Sequence, residues 1–210
     1  MIAKYLVVDE LSGNIVYLIN YIAGVDYEDQ QRLPGGLVVL AAPDLDPQEI
    51  LASYKAIVTD GVFSLVKAGE PPGRHYYWDI GSRVFKLDLA LLKADQMASL
   101  RRSCEQSITS GFQYGDFFYP SDENDQSNLT ATVNASKIAI EDEFPFLCRN
   151  GDGTWFYRMH TAEEIQLVGL AGYRCILAKR VHHNNLRAQI EESDDPEFIQ
   201  SIVWTEPTIE

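Results

Sequence analysis

Residues 111–137, GFQYGDFFYPSDENDQSNLTATVNASK, and residues 144–174, FPFLCRNGDGTWFYRMHTAEEIQLVGLAGYR, follow the same plan. Each stretch has two aromatic-rich runs separated by a turn that contains Gly-Asp, and a hydroxyl residue then precedes a run without proline. Aromatic residues favour strands, while Asn-Gly and Asp-Gly favour the tight turn of a hairpin. The pattern therefore predicts two hairpin-then-helix units that pack together as one small α+β body.

The two predicted helices begin at capping residues. Thr161, with Glu164 three residues later, forms a capping box, and the following helix extends without proline to about residue 192. A helix of about 30 residues is ~45 Å long. Ser121 is the predicted N-cap of the first helix, over residues 121–138, and Asn124 at the matching position makes a weaker box.

The first 88 residues are dominated by β-branched and aromatic runs. These runs predict one hairpin, two single strands and a second hairpin, at residues 2–8 with 15–22, 37–41, 62–67, and 75–79 with 83–88. Residues 23–36 are predicted to form a loop. Asp46 as N-cap, Pro47 as the first helical residue and Glu49 predict a helix that reaches about Val58. The strands are expected to pair antiparallel, because a parallel sheet needs more crossover helices than the sequence contains.

We therefore expect an α+β fold with four segments. Residues 1–88 form an N-terminal antiparallel β-rich domain with one helix, and residues 89–110 form a connector helix with apolar residues at helical spacing. Residues 111–192 form the hairpin-helix pair, which ends in the long helix. Residues 193–210 form a C-terminal arm.

Charge and cysteine content exclude several classes of protein. The formal charge is −14, from 17 basic and 31 acidic residues, which opposes binding to nucleic acid because phosphates are neutralised by Lys and Arg. No apolar run approaches the ~20 residues that span a bilayer, and the N-terminus lacks the pattern of a secretory signal. Cys104, Cys148 and Cys175 are widely spaced, so we expect buried, reduced thiols in a protein made in a cytoplasm.

No catalytic, cofactor-binding or metal-binding residues are predicted. His160 lies beside Glu163 and Glu164, but the segment lacks the second histidine of a zincin helix, and His160 is expected to close a hairpin. An EF-hand beginning at Asp122 would place Ser127 and Val133 where glycine and glutamate are required. No nucleophile elbow, phosphate-binding loop or dinucleotide fingerprint occurs.

The long helix and the arm carry apolar residues that are expected to pack either within the chain or on another chain. A stripe along the long helix runs through Ile165, Val168, Gly172, Cys175, Lys179, His182 and Leu186. It is expected to pack either on the hairpins of the same chain or on a helix of another chain. The acidic arm keeps apolar residues that dock on the same chain or on a partner. The candidate partner-contact residues are Phe198, Ile199, Ile202, Val203, Trp204, His182 and Leu186.

Aromatic residues, 11% of the chain, cluster beside the turns of the repeated unit. Along short strands their side chains alternate between the core and the outside. The set is Tyr114, Phe117, Phe118, Tyr119, Trp155, Phe156 and Tyr157. Its outward half is expected either to pack within the chain or to form an apolar or sugar-stacking surface.

The repeated region resembles a small domain of unassigned function found in tailed bacteriophages, commonly encoded beside tail-fibre and baseplate genes. The resemblance covers residues 100–188, and the preceding HYYWD hairpin and helix are similar to segments of phage tail-fibre assembly proteins. The matching residues are Gly111, Phe112, Tyr119, Asp125, Gln126, Leu129, Trp155, His160, Thr161, Ala162, Ile165 and Gly169.

The resemblance implies a structural or assembly-related phage tail protein and no catalytic residue. We expect a non-enzymatic adaptor, associated with the tail fibre or the baseplate of the virion, that acts through contacts with other tail proteins. We also expect a homo-oligomer with no nucleic-acid or membrane partner. The alternatives are a tail-fibre assembly chaperone that is absent from the mature virion, and a hydrolase that acts on surface glycan.

Overall fold

The computed structural model describes residues 5–19, 28–41 and 47–208. The chain is divided into two compact units, Met1–Leu89 and Ala90–Glu210. The first unit is mostly antiparallel strand and the second is mostly helix with one sheet, so the predicted α+β class is confirmed.

The first unit contains a four-stranded antiparallel sheet with the strand order β2-β1-β4-β3. Its strands are β1 (Tyr5–Asp9), β2 (Ile15–Ile19), β3 (Arg32–Leu33) and β4 (Leu37–Ala41). Residues 5–8 of β1 and all of β4 are apolar, and both faces of these central strands are buried. Leu6, Val8, Val38 and Leu40 contribute to one core with Ile50. A short helix, α1 (Pro47–Ser53), then leads into two hairpins, β5 (Tyr54–Thr59) with β6 (Val62–Lys67) and β7 (Tyr76–Asp79) with β8 (Val84–Leu87).

The predicted helix from Asp46 to Val58 is wrong in its second half, because α1 ends at Ser53 and Tyr54 begins a strand. The segment YKAIVT is rich in aromatic and β-branched residues, which pack well along a strand. Asp60 and Gly61 both have positive φ, 51° and 79°, and this Asp-Gly turn pairs the segment with β6. The predicted cap Asp46 lies outside the described residues, as do residues 2–4 and 20–27 of the predicted strands and loop.

The second unit is built around a sheet with the strand order β12-β11-β10-β9, in which all neighbours are antiparallel. After α2 (Leu89–Thr109), the chain forms β9 (Phe112–Tyr114), β10 (Phe117–Tyr119) and α3 (Glu123–Ser136). It then repeats the plan with β11 (Phe144–Arg149), β12 (Trp155–His160) and α4 (Ala162–Glu192), and ends with α5 (Pro196–Ser201). Both predicted hairpin-then-helix units are therefore present, and α4 reaches the predicted residue 192.

The capping box of α4 forms as predicted, but the N-cap of α3 is Asp122 and not Ser121. The Asp122 carboxylate accepts a hydrogen bond from the Asp125 N–H at 2.8 Å, and the Asp125 carboxylate accepts one from the Asp122 N–H at 3.2 Å. Ser121 is instead buried. The box lies one residue later than predicted because aspartate at both ends can satisfy the two free N–H groups reciprocally.

The inner face of α4 packs on its own unit. Ile165, Val168 and Cys175 belong to the core that also contains the sheet residues Tyr119 and Phe146. A methyl group added at Gly172 would lie 2.9 Å from the ring of Phe112, so glycine allows the helix to lie close to β9. The first part of the predicted stripe, from Ile165 to Cys175, is thus directed toward its own hairpins, which was the first of the two expected arrangements.

The helix α2, which the sequence suggested to be a connector, lies within the second unit except for its first residue. The buried Lys179 of α4 donates a hydrogen bond from its Nζ to the carbonyl of Ser107 at 2.7 Å. Lys93 of α2 donates to the carbonyl of Glu191 at 3.1 Å. These contacts attach α2 to the C-terminal half of α4.

Candidate interaction surface

The register of β11 with β12 assigns their side chains to two faces. Phe144 pairs with His160 and Phe146 with Arg158, and these side chains are directed toward the core formed with α4. The intervening residues lie on the opposite face because successive side chains of a strand alternate. That opposite face is the outer sheet face, defined by Phe118, Pro145, Leu147, Arg149, Trp155, Tyr157 and Met159.

The outer sheet face exposes large apolar side chains on an edge strand. Trp155, Tyr157 and Met159 are 43%, 71% and 50% exposed, and β12 has no second neighbouring strand among the residues that the structure describes. The seven residues of the face include no carboxylate, although the chain carries a net charge of −14. Trp, Tyr, Met and Arg are the residues enriched in protein interfaces, where Lys, Glu and Asp are depleted. The composition therefore resembles the core of a protein interface.

Arg149 provides the only charge of the outer sheet face. Its guanidinium carbon lies 4.2 Å from the ring centroid of Phe118 and 5.3 Å from that of Trp155. These two rings meet edge to face, with centroids 6.3 Å apart. Stacking between rings orients the planar guanidinium while leaving its N–H groups free to bind an acceptor. The face thus combines apolar area with one oriented cation.

A buried polar pair lies on the other side of the sheet. His160 is fully buried; its Nδ1 lies 3.3 Å from the carbonyl of Phe144 and its Nε2 lies 3.0 Å from the hydroxyl of Tyr119. Since a carbonyl only accepts, Nδ1 carries the proton, and Nε2 of the neutral ring accepts from Tyr119. Burial, together with the nearby charge of Arg158, lowers the pKa of His160. The histidine therefore closes the hairpin, as predicted, and is enclosed within the core.

The stability of the second unit should decrease when the pH falls below about 6.5, the unperturbed pKa of histidine. Because the pKa of His160 is lowered in the folded state, the unfolded state binds the proton more tightly. The contribution of His160 to stability is therefore complete above the unperturbed pKa and is lost as the pH falls through the lowered pKa of the folded state. We expect the free energy of unfolding, measured by urea titration between pH 7.5 and 5.5, to fall with decreasing pH.

The His160→Gln variant should be less stable at pH 7.5 but should lose most of this pH dependence. A matched His183→Gln variant, which changes a histidine of α4 outside the core, should keep the slope of the parent protein. An unchanged slope in His160→Gln would show that another group causes the acid sensitivity.

The titratable side chains near His160 and the three cysteines are held in structural contacts. No group of three or more His, Cys, Asp or Glu side chains in the described ranges is arranged to hold a metal ion. All three cysteines are buried, as predicted, and burial raises the pKa of the Cys104 and Cys148 thiols. The carboxylate of Glu164 accepts hydrogen bonds from the Thr161 N–H and from the Arg158 guanidinium, at 2.9 Å in both cases. Within the same ranges, no helix has the length and hydropathy to cross a bilayer.

The candidate partner-contact residues of the arm separate into two groups. Ile199 and Ile202 are buried within their own chain, and the carbonyl of Ile202 accepts a hydrogen bond from the side chain of Gln96. Phe198 and Val203 are 44% and 61% exposed. The arm thus docks on its own unit through Ile199 and Ile202, whereas Phe198 and Val203 remain exposed.

The remaining candidate residues of the arm and α4 contact one another. The indole of Trp204 meets the ring of His182 edge to face at 5.2 Å, and Thr205 Oγ1 lies 3.3 Å from His182 Nε2. Leu186, one turn further along α4, is half-buried. Glu206 accepts a hydrogen bond from the hydroxyl of Ser107 at 2.8 Å. His182 and Trp204 therefore take part in holding the arm on its own chain.

Sequence reasoning included Phe118, Trp155 and Tyr157 among the aromatic residues that could form an outer surface, but it missed Pro145, Leu147, Arg149 and Met159. The missing signal was the register of the second hairpin. The observed register leaves residues 150–154 as the connection, so Arg149 pairs with Trp155, and a connection one residue shorter would have placed these side chains on the opposite face.

A comparison with known protein families finds a match, which lies in the second unit. Residues 91–203 match the model of a family described as "Domain of unknown function (DUF4376)". No curated protein and no solved structure matches the chain. The match covers more than half of the 210 residues and includes α3, the second hairpin and α4. The chain therefore belongs to the DUF4376 family, a family whose description assigns no function.

Proposed function

We propose that this protein is a non-enzymatic adaptor of a bacteriophage tail, incorporated into the tail fibre or the baseplate through its outer sheet face. The observation that supports the adaptor role is the exposed set of Trp155, Tyr157 and Met159 around the stacked Arg149. The phage context rests on the resemblance of residues 100–188 to a domain encoded beside tail genes.

The outer sheet face indicates the chemistry of its partner. Apolar side chains of the partner would cover Tyr157 and Met159, and a carboxylate would pair with Arg149. Once desolvated, such a charged pair requires good geometry, and the stacked guanidinium is already oriented for a bidentate bond. Trp, Tyr and Arg are also the residues that most often dominate the binding energy of an interface. We therefore expect a protein partner with an acidic residue beside an apolar patch.

The first experiment is mass spectrometry of purified particles of a phage that carries the coding sequence, combined with chemical cross-linking. We expect the chain in the mature particle, cross-linked to a fibre or baseplate protein near residues 145–159. Absence of the chain from particles whose assembly requires it would contradict the adaptor role and support the assembly chaperone.

The second experiment tests the surface itself. The double variant Tyr157→Lys, Met159→Lys places two charges on the outer sheet face, and we expect its incorporation to decrease by about tenfold or more because each buried charge weakens binding strongly. Ser127→Lys, on the exposed side of α3, is the matched control and should be incorporated like the parent. Parental incorporation of the double variant would show that this face is not the attachment surface.

A further inference from the structure

The long helix α4 has a second apolar face that its own core does not use. Leu167, Leu170, Leu177 and Val181 are 43%, 42%, 46% and 50% exposed, and Tyr173 at their border is 62% exposed. Their spacing of three, seven and four residues keeps the four aliphatic side chains on one line along the helix. We call these four residues, together with Arg174 between them, the α4 outer stripe.

The α4 outer stripe lies opposite the buried side of the helix. Ile165, Val168, Gly172 and Cys175 are buried, and at 100° per residue their mean direction is roughly 180° from that of the stripe. A helix that only packs on its own domain needs one apolar side and exposes a polar one. The aliphatic residues of the stripe extend over about 21 Å and do not belong to the buried core that contains Ile165.

We propose that two copies of this chain pair through the α4 outer stripe, with the two helices antiparallel and related by a two-fold axis near Arg174. A stripe of exposed aliphatic side chains at spacings of three and four is the pattern by which one helix packs against another. In a two-fold pair the same stripe serves both chains, so no second surface is required.

The distribution of charge selects the antiparallel direction. Glu163 precedes the stripe, whereas the exposed Arg180 and Arg187 lie beside and beyond its C-terminal end. In a parallel pair, each of these charged residues would lie next to the same residue of the second chain, so that like charges would meet. An antiparallel pair brings Glu163 of one chain opposite Asn185 of the other, which lies between Arg180 and Arg187 in the sequence, and also opposes the helix dipoles. Arg187 additionally pairs with Glu191 of its own chain at 3.0 Å.

The two-fold axis also determines which residues meet. Leu167 would face Val181 of the second copy, Arg174 would face its own equivalent, and Leu170 and Leu177 of opposite chains would be offset by one residue. The two arginines at the axis are the unfavourable element, although a long side chain can extend its guanidinium to solvent. We therefore expect Arg174→Leu to tighten the pair. This inference does not depend on the proposed function, because the stripe and the outer sheet face lie on different elements.

The first test is the mass of the full chain in solution, measured by light scattering during size-exclusion chromatography and by analytical ultracentrifugation. We expect a dimer for the parent and a dissociation constant raised by roughly a hundredfold or more in Leu170→Lys, Leu177→Lys, since two charges would be buried in the interface. Tyr157→Lys, on the outer sheet face, is the control and should remain dimeric. A monomeric parent, or a double variant that dimerises like the parent, would overturn the proposal.

The second test fixes the direction of the helices by disulfide cross-linking, and it keeps the proposal testable if the lysine variant does not fold. Arg174→Cys alone should cross-link, because both copies lie at the axis. Leu167→Cys alone and Val181→Cys alone should not, because Cα atoms more than about 7 Å apart cannot form a disulfide. A mixture of the last two single variants should cross-link, because these two positions face each other in the antiparallel pair. The native cysteines are buried and should not interfere. Cross-linking of Leu167→Cys with itself would show a parallel pair and overturn the antiparallel arrangement.

Discussion

Replacing Gly111 with alanine is expected to destabilise the second unit by about 3 kcal/mol or more. Gly111 has a φ of 111°, which side-chain-bearing residues rarely adopt, and it joins α2 to the strand β9. A Cβ atom built there would overlap the ring of Phe118 and lie 2.5 Å from the backbone carbonyl oxygen of Tyr119. The ring can rotate, but the carbonyl belongs to the β9–β10 ladder and can move only if the hairpin is distorted.

Two glycine variants serve as controls for this result. Gly115→Ala, at a φ of 56° with nothing within 4 Å, should cost about 1–2 kcal/mol from backbone strain alone. Gly151→Ala has neither a positive φ nor a close neighbour, so its stability should be close to that of the parent. Urea unfolding of the full chain, followed by hydrogen exchange of peptides from residues 111–192, measures the second unit separately. Equal stability of the Gly111 and Gly151 variants would contradict the close packing at Gly111.

Truncating Ile165 to alanine is expected to cost 2–5 kcal/mol, the range measured for deletion of buried aliphatic side chains. Ile165 is fully buried and belongs to the core shared by the sheet and α4. The deleted methyl and methylene groups would leave a cavity, because the surrounding aromatic rings cannot move together to fill it. The expected result is a lower urea midpoint with an unchanged slope of the transition.

Ile138→Ala is the matched control, since the same side chain is 88% exposed just after α3. Its effect should stay within about 0.5 kcal/mol. Together the two variants compare the same chemical deletion at a buried and an exposed position of one unit. If both were equally harmless, the inner face of α4 would not be the face packed on the sheet.

Local signals predicted most of the second unit correctly because the determining interactions are close in sequence. The Asn150–Gly153 turn and the Thr161–Glu164 box involve residues within a few positions of each other, so their chemistry can be deduced without knowledge of the fold. The same reasoning failed for Tyr54–Thr59. There, the capping signal correctly indicates the start of α1, but the predicted helix continues beyond Ser53. From Tyr54 onward, pairing with β6 is more favourable than another helical turn.

The outer sheet face could be predicted only in part, because it depends on the relation between strands. Alternation along β12 indicates that Trp155 and Tyr157 share a face, but it does not indicate whether that face is covered. The cluster around Arg149 requires the long-range pairing of Phe118 with Arg149, two residues that lie in different hairpins with the helix α3 between them in the sequence. Residue spacing within one segment contains no information about such a contact.

By itself, the sequence determined the class of the fold, the two hairpin-then-helix units and the extent of α4, because turns, caps and periodicity depend on neighbouring residues. The tertiary structure alone decided that the predicted stripe of α4 packs within its own chain and which apolar residues of the arm are covered. The physical reason is that burial is a property of the whole chain. The stripe could leave water against either its own chain or another chain, and the shape of the sheet, α2 and α3 selects its own chain.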